Sequence, residues 1–152
     1  MKVPSTKPTG SVLGDKKELG MSMKVLICDL DWRFSRQASL LLESRAHLVV
    51  QHNQADEAIA AARRWQPDLA IVSEELANTG LIEQLEAIEP RPAILLVGWM
   101  DRYDKVWRAW QRGGDELLMK PVFNWAELHA AIVAAMENAV SGVRHRAVLA
   151  SA

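Results

Sequence analysis

The chain has 152 residues, enough for one ordinary domain and too few for two. Its 18 Lys and Arg against 19 Asp and Glu leave a formal net charge of -1, which excludes a strongly basic nucleic-acid binder and a polybasic membrane-surface protein. A single cysteine, Cys28, excludes an internal disulfide framework and a multi-cysteine zinc site, and the aromatic set is skewed to 6 Trp against 1 Tyr and 2 Phe.

Residues 1–22 mix Pro, Gly, Ser, Thr and Lys without apolar periodicity and predict a flexible leader, with Met21 or Met23 as alternative starts. No apolar run is long enough for a signal peptide or a membrane span, so a cytoplasmic protein is expected, as the lone thiol also implies. Lys24–Cys28 is a short apolar run that reads as a buried strand, followed by a helical stripe of Phe34, Ala38, Leu41 and Leu42. Residues 48–50 give a second strand, and Asp56 and Glu57 open an alanine-rich helix over Ala58, Ile59 and Ala62. Pro67 and Asp68 break it, 69–72 is a third strand, and Leu81, Ile82, Leu85 and Ile88 form a third helical stripe. After Pro90 and Pro92 comes a fourth strand at 93–97, then a helix carrying Val106, Ala109 and Trp110 that ends at Gly113 and Gly114. Residues 116–119 form a fifth strand. Asn124 with Glu127 three residues on is a capping-box arrangement for a last helix burying Leu128, Ile132, Ala135 and Met136. The tail, 141–152, carries Arg144, His145 and Arg146 and reads as a solvated terminus.

Five strands alternating with five helices predict right-handed crossovers and a parallel sheet covered on both faces. Function in such a sheet gathers at the carboxyl ends of the strands. The residues there are Asp29, Leu30 and Asp31; Ser73, Glu74 and Glu75; Gly98 and Trp99; and Lys120 with Pro121.

Three stretches in that order, KVLICDLD at 24–31, PDLAIVS at 67–73 and GGDELLMKP at 113–121, make residues 23–140 resemble the receiver domain of bacterial response regulators, the CheY-like family. The resemblance implies a flavodoxin-like α/β fold: a three-layer (βα)5 sandwich with a parallel five-stranded sheet in the order 2-1-3-4-5. It also implies chemistry in which an aspartate takes a phosphoryl group from a phosphohistidine. An acidic pair holds a hard divalent cation, a lysine balances the phosphoryl charge, and a Ser or Thr hydroxyl after strand four reports it.

The departures from that pattern outnumber the matches. Ser73 stands at the acceptor position, and a serine hydroxyl without a base is a poor nucleophile that cannot form the acyl phosphate. Asp29 matches the first acid and is the one weak candidate for a magnesium ligand; Leu30 replaces the second, and Asp31, one residue further on, is expected to point elsewhere. Gly98 (or Val97) replaces the switch hydroxyl, and Leu117 the switch aromatic. Lys120 and Pro121 alone are intact, and Lys120 is expected to pair with Asp29 across the pocket. Neither a magnesium ion nor another cofactor is expected, and the domain is read as a non-enzymatic pseudo-receiver that works by protein contact.

Two alternatives stay open. Glu74 or Glu75 could serve as a displaced acceptor, although acids in a strand-to-helix loop are usually solvated or capping. Asp29-Leu30-Asp31 also looks like the Asp-x-Asp motif of haloacid-dehalogenase-type phosphatases; Arg33 and the lack of a later acidic pair for magnesium speak against it. His47, His52, His129 and His145 are scattered without metal-ligand spacing and are expected at the surface or at strand ends. Trp110, Trp65 and Trp125 are expected to pack, and Trp32 and Trp99 to close or line the pocket mouth. Trp107, one turn after Tyr103, is expected on a contact face. That face, built by helix four, strand five and helix five, is a common dimer and partner surface in receivers. The partner is expected to be a histidine kinase, an output protein or a second copy, with no nucleic acid and no membrane. No segment after the last helix is long enough for an output domain, so any effect is expected to pass through a partner, or through the parent protein if the chain is a fragment of a longer one.

Overall fold

The computed structural model describes residues 22–142. Its elements in chain order are β1 (Lys24–Cys28), α1 (Trp32–Glu43), β2 (Leu48–His52), α2 (Ala55–Trp65), β3 (Leu69–Ser73), α3 (Glu74–Ala77), α4 (Leu81–Glu86), β4 (Ala93–Trp99), α5 (Tyr103–Arg112), β5 (Glu116–Lys120) and α6 (Trp125–Ser141). A 3-10 turn at Met100–Arg102 joins β4 to α5. All four strand pairings are parallel and the order is β2-β1-β3-β4-β5, the order the receiver resemblance implies.

The alternation of side chains along each strand splits the core in two. Val25, Ile27, Leu69, Ile71, Leu95 and Val97 face α1 and α6, where they meet Phe34, Ala38, Leu42, Leu128, Ile132 and Met136. Leu26, Cys28, Ala70, Val72, Ile94 and Leu96 face the other layer, where they meet Ala58, Ile59, Ala62, Ile82, Leu85 and Trp110. The central strands β1, β3 and β4 therefore carry apolar side chains on both faces, which is why these runs read as continuous apolar segments.

Three boundaries differ from the sequence expectation. The third helix is split: Ser73 starts the short α3 directly off β3, and Gly80, at φ 86, lets the chain turn before α4. Ile88 falls beyond the end of α4. β4 runs on to Trp99, so Gly98 and Trp99 lie on the strand and not after it.

The expected leader lies outside the described residues except for Ser22, whose hydroxyl donates to the Ala46 carbonyl. Of the expected tail, Ser141 closes α6 and Gly142 follows it; Arg144, His145 and Arg146 lie outside the described residues.

At the amino ends of β4 and β5 the Arg91 guanidinium donates to both oxygens of Asp115, at 2.9 and 3.0 Å, and to Glu86 at 3.3 Å. Asp115 also accepts from the Ile94 N–H. This clamp joins β4, β5 and the end of α4. No described helix is long and apolar enough to cross a membrane.

Candidate functional site

The parallel register delivers Asp29, Ser73, Trp99 and Lys120 to the same end of the sheet. Lys120 ends β5 and is buried. Its Nζ donates to Asp29 Oδ2 at 2.7 Å, as the sequence predicts, and to Asp31 Oδ2 at 3.2 Å. The expectation that Asp31 points elsewhere is therefore corrected. Asp31 is the N-cap of α1, with extended backbone, and its Oδ1 accepts from the N–H groups of Arg33 and Phe34. Capping turns the carboxylate inward, while Leu30 takes the outward position at 51% exposure.

All four carboxylate oxygens are engaged. Asp29 Oδ1 accepts from the Asp31 N–H at 2.9 Å, and Asp31 Oδ2 also accepts from Trp99 Nε1 at 3.1 Å. Burial pushes the Asp29 carboxyl up, outweighing the hydrogen bond and charge of Lys120. Burial opposes ionisation at Asp31 as well, but the Phe34 N–H and Lys120 outweigh it there and hold that carboxyl below its ordinary value. The ammonium also sits 4.5 Å from the Phe34 ring centroid and 5.6 Å from that of Trp99.

Trp99 thus lines the pocket, in a cleft of about 420 Å³ shared with Asp31, Arg33, Phe34, Gln37 and Lys120. Trp32, expected beside it, does not join it. Trp32 is 67% exposed, carries the Arg33 guanidinium over its ring and borders a second cleft with Asp29, Leu30, Ser35, Gln51 and His52.

Ser73 is buried at the end of β3, where its Oγ accepts from the Leu76 N–H at 3.5 Å and caps α3. Glu74 is not solvated, contrary to the usual expectation for such a loop. Its side chain is 3% exposed and Oε1 accepts from Arg102 Nε, while Oε2 has no hydrogen-bond partner among the described residues. Glu75 is exposed and lies 3.9 Å from the same guanidinium.

Gly98 is required by close packing. A Cβ there would collide with Val106 Cγ2 and lie 3.2 Å from Glu74 Cγ, so no switch hydroxyl fits without displacement. Leu117 is half-buried against the α2-side core, and Pro121 follows Lys120 at the cleft wall.

The carboxylates a hard cation would use are reduced to Asp29 and Asp31, whose oxygens accept from an ammonium, backbone N–H groups and an indole; Leu30 and Ser73 supply no carboxylate. Among the described residues no group of three or more His, Cys, Asp or Glu could hold a metal ion.

Other sequence expectations land in mixed places. Tyr103 and Trp107 are adjacent on α5, with ring centroids 5.9 Å apart and Tyr103 49% exposed. Trp110 is buried, Trp65 packs against the α2-side core, and Trp125 packs against the α1–α6 core with Arg45 stacked 4.3 Å from its ring. His47 stands just before β2 and is buried, because its Nδ1 accepts the Met23 N–H; burial, with His129 and Arg45 nearby, lowers its pKa. His52 lies 3.7 Å from Glu57, and His129 faces the Trp125 ring. His145 lies outside the described residues. The Cys28 thiol is buried, and burial and Asp29 push its pKa up to about 12.

The residues that sequence reading missed are Arg102 and the burial of Glu74. They are 28 positions apart, and no local pattern links them.

No protein-family model and no curated protein matches the sequence. Solved structures do. NtrX from Brucella abortus, in complex with ADP, is similar at TM-score 0.69 and 18% identity over 80% of this chain; the chain spans only 28% of NtrX. A response regulator receiver domain protein from Clostridium thermocellum is similar at TM-score 0.65 and 20% identity, covering 80% of this chain and 99% of that one. A member of a family of streptococcal redox sensors, evolved from two-component response regulators, is similar at TM-score 0.65 and 18% identity over 78% of this chain and 52% of its own. These likenesses establish the receiver-type fold.

Proposed function

We propose that the chain is a receiver-like protein-interaction module of bacterial two-component-type signalling that works without aspartyl phosphorylation and without magnesium. The observation that carries this reading is the state of Lys120. Its ammonium is buried in ion pairs with Asp29 and Asp31, and a phosphoryl group would have to compete with both carboxylates for it. Ser73, at the acceptor position, is buried and caps α3. Supporting a contact role, Tyr103 and Trp107 present a paired aromatic surface on α5. The partner is a histidine kinase, an output protein or a second copy of the chain, and the module acts in the cytoplasm.

A phosphatase using Asp29 and Asp31 is disfavoured because Asp29 is buried with each oxygen already accepting a hydrogen bond, and Asp31 caps α1. A redox role like that of the streptococcal proteins is disfavoured by the buried, weakly acidic Cys28. Incubation with acetyl phosphate and magnesium, followed by intact-mass measurement, tests the proposal. No adduct is expected; a covalent phosphoryl adduct overturns it.

A further inference from the structure

We infer that Glu74 and Arg102 form a permanent latch that holds the β4–α5 segment, and with it the Tyr103–Trp107 face, in one position. This deepens the reading of the chain as a phosphorylation-independent module and rests on it. Glu74 is the first residue after β3 and its carboxylate is withdrawn from water, so its charge must be compensated within the protein. The compensation comes from Arg102, the last residue of the turn that leads into α5.

The same contact is closed a second way. Val106, in the following turn of α5, is fully buried over the bare backbone of Gly98, and Glu74 Cγ lies beside it. The end of β3, the end of β4 and the first turns of α5 are thereby joined by an ion pair and by a steric fit. A phosphoryl-dependent contact between the ends of β3 and β4 would exist only while the phosphoryl group is present. Here a fixed carboxylate and a fixed guanidinium close the gap at all times. Tyr103 follows Arg102 directly and Trp107 lies one turn on, so the latch sets where that surface stands.

Hydrogen exchange on Glu74→Gln, Arg102→Gln and the double variant tests this. Amides in 99–107 are expected to exchange roughly tenfold faster in each single variant, as loss of a charged hydrogen bond implies. The double variant should exchange no faster than the faster single, and β1 and α1 should be unchanged. Arg102 is partly exposed, so Arg102→Gln decides the question if Glu74→Gln does not fold. Wild-type exchange in Arg102→Gln, or effects that multiply in the double variant, overturns the latch. A phosphoryl adduct on the wild-type protein would instead overturn the functional reading, whatever the exchange rates.

Discussion

Trp99 donates its indole N–H to Asp31 at 3.1 Å, and the same Asp31 oxygen accepts from Lys120. One carboxylate oxygen thus ties the end of β4 to the end of β5 and to the start of α1. The arrangement holds both carboxylates and the ammonium in contacts within the protein.

Restoring the acceptor alone should not restore the chemistry. Ser73→Asp is expected to take up no phosphoryl group from acetyl phosphate and magnesium, because Asp29 and Asp31 remain bonded to Lys120 and Leu30 still replaces the second acid. Intact-mass spectrometry reads the outcome, and a phosphorylated Ser73→Asp protein would refute it.

The buried pair should behave as a unit. Lys120→Met strands Asp29 and is expected to cost about 3–5 kcal/mol, whereas Lys120→Met combined with Asp29→Leu should recover most of the loss. Urea unfolding of the two singles and the double variant measures the coupling, and additive losses would contradict it.

Gly98→Ala should destabilise by about 1–3 kcal/mol through its contact with Val106. Val106→Ala, which removes the clashing methyl groups, should make the Gly98 substitution less costly. Thermal unfolding of the four proteins in the cycle checks this; no rescue would place the cost elsewhere.

Stability should fall with acid through His47. Its pKa is lowered in the folded protein, so the unfolded chain takes up the proton first as pH drops below the ordinary value of 6.5. The stabilisation is complete above that value and is lost as pH falls toward the folded one. The melting temperature should therefore fall between about pH 7.5 and about pH 5.5, either side of the ordinary histidine range. His47→Gln should show a smaller fall; an equal one would assign the dependence to other groups.

The strands were legible in the sequence because buried parallel strands carry apolar residues on both faces, as residues 69–72 and 93–97 do. The Asn124 cap was legible because its partner is three residues away; Asn124 Oδ1 accepts the Glu127 N–H, although Glu127 answers to the Phe123 N–H and not to Asn124. The Lys120–Asp29 pair was legible because the receiver resemblance puts both residues at one pocket and a buried charge there needs a partner. The inward turn of Asp31 was not, since a helix cap and a pocket ligand look alike in sequence. The Glu74–Arg102 pair was not either, because it depends on how two loops meet in space.

Asn138, near the end of α6, donates to the Asp115 carbonyl at 2.8 Å, so α6 returns to the end of the sheet where the Arg91 clamp sits. Met23 leads into β1 at that same end, where its carbonyl accepts the Leu48 N–H. Both ends of the described segment therefore lie opposite the Lys120 pocket. Tethering the domain at Ser22 or Gly142 to a surface, a tag or another protein attaches it at the end of the sheet away from the pocket rim and Trp99, the orientation that suits immobilised binding measurements.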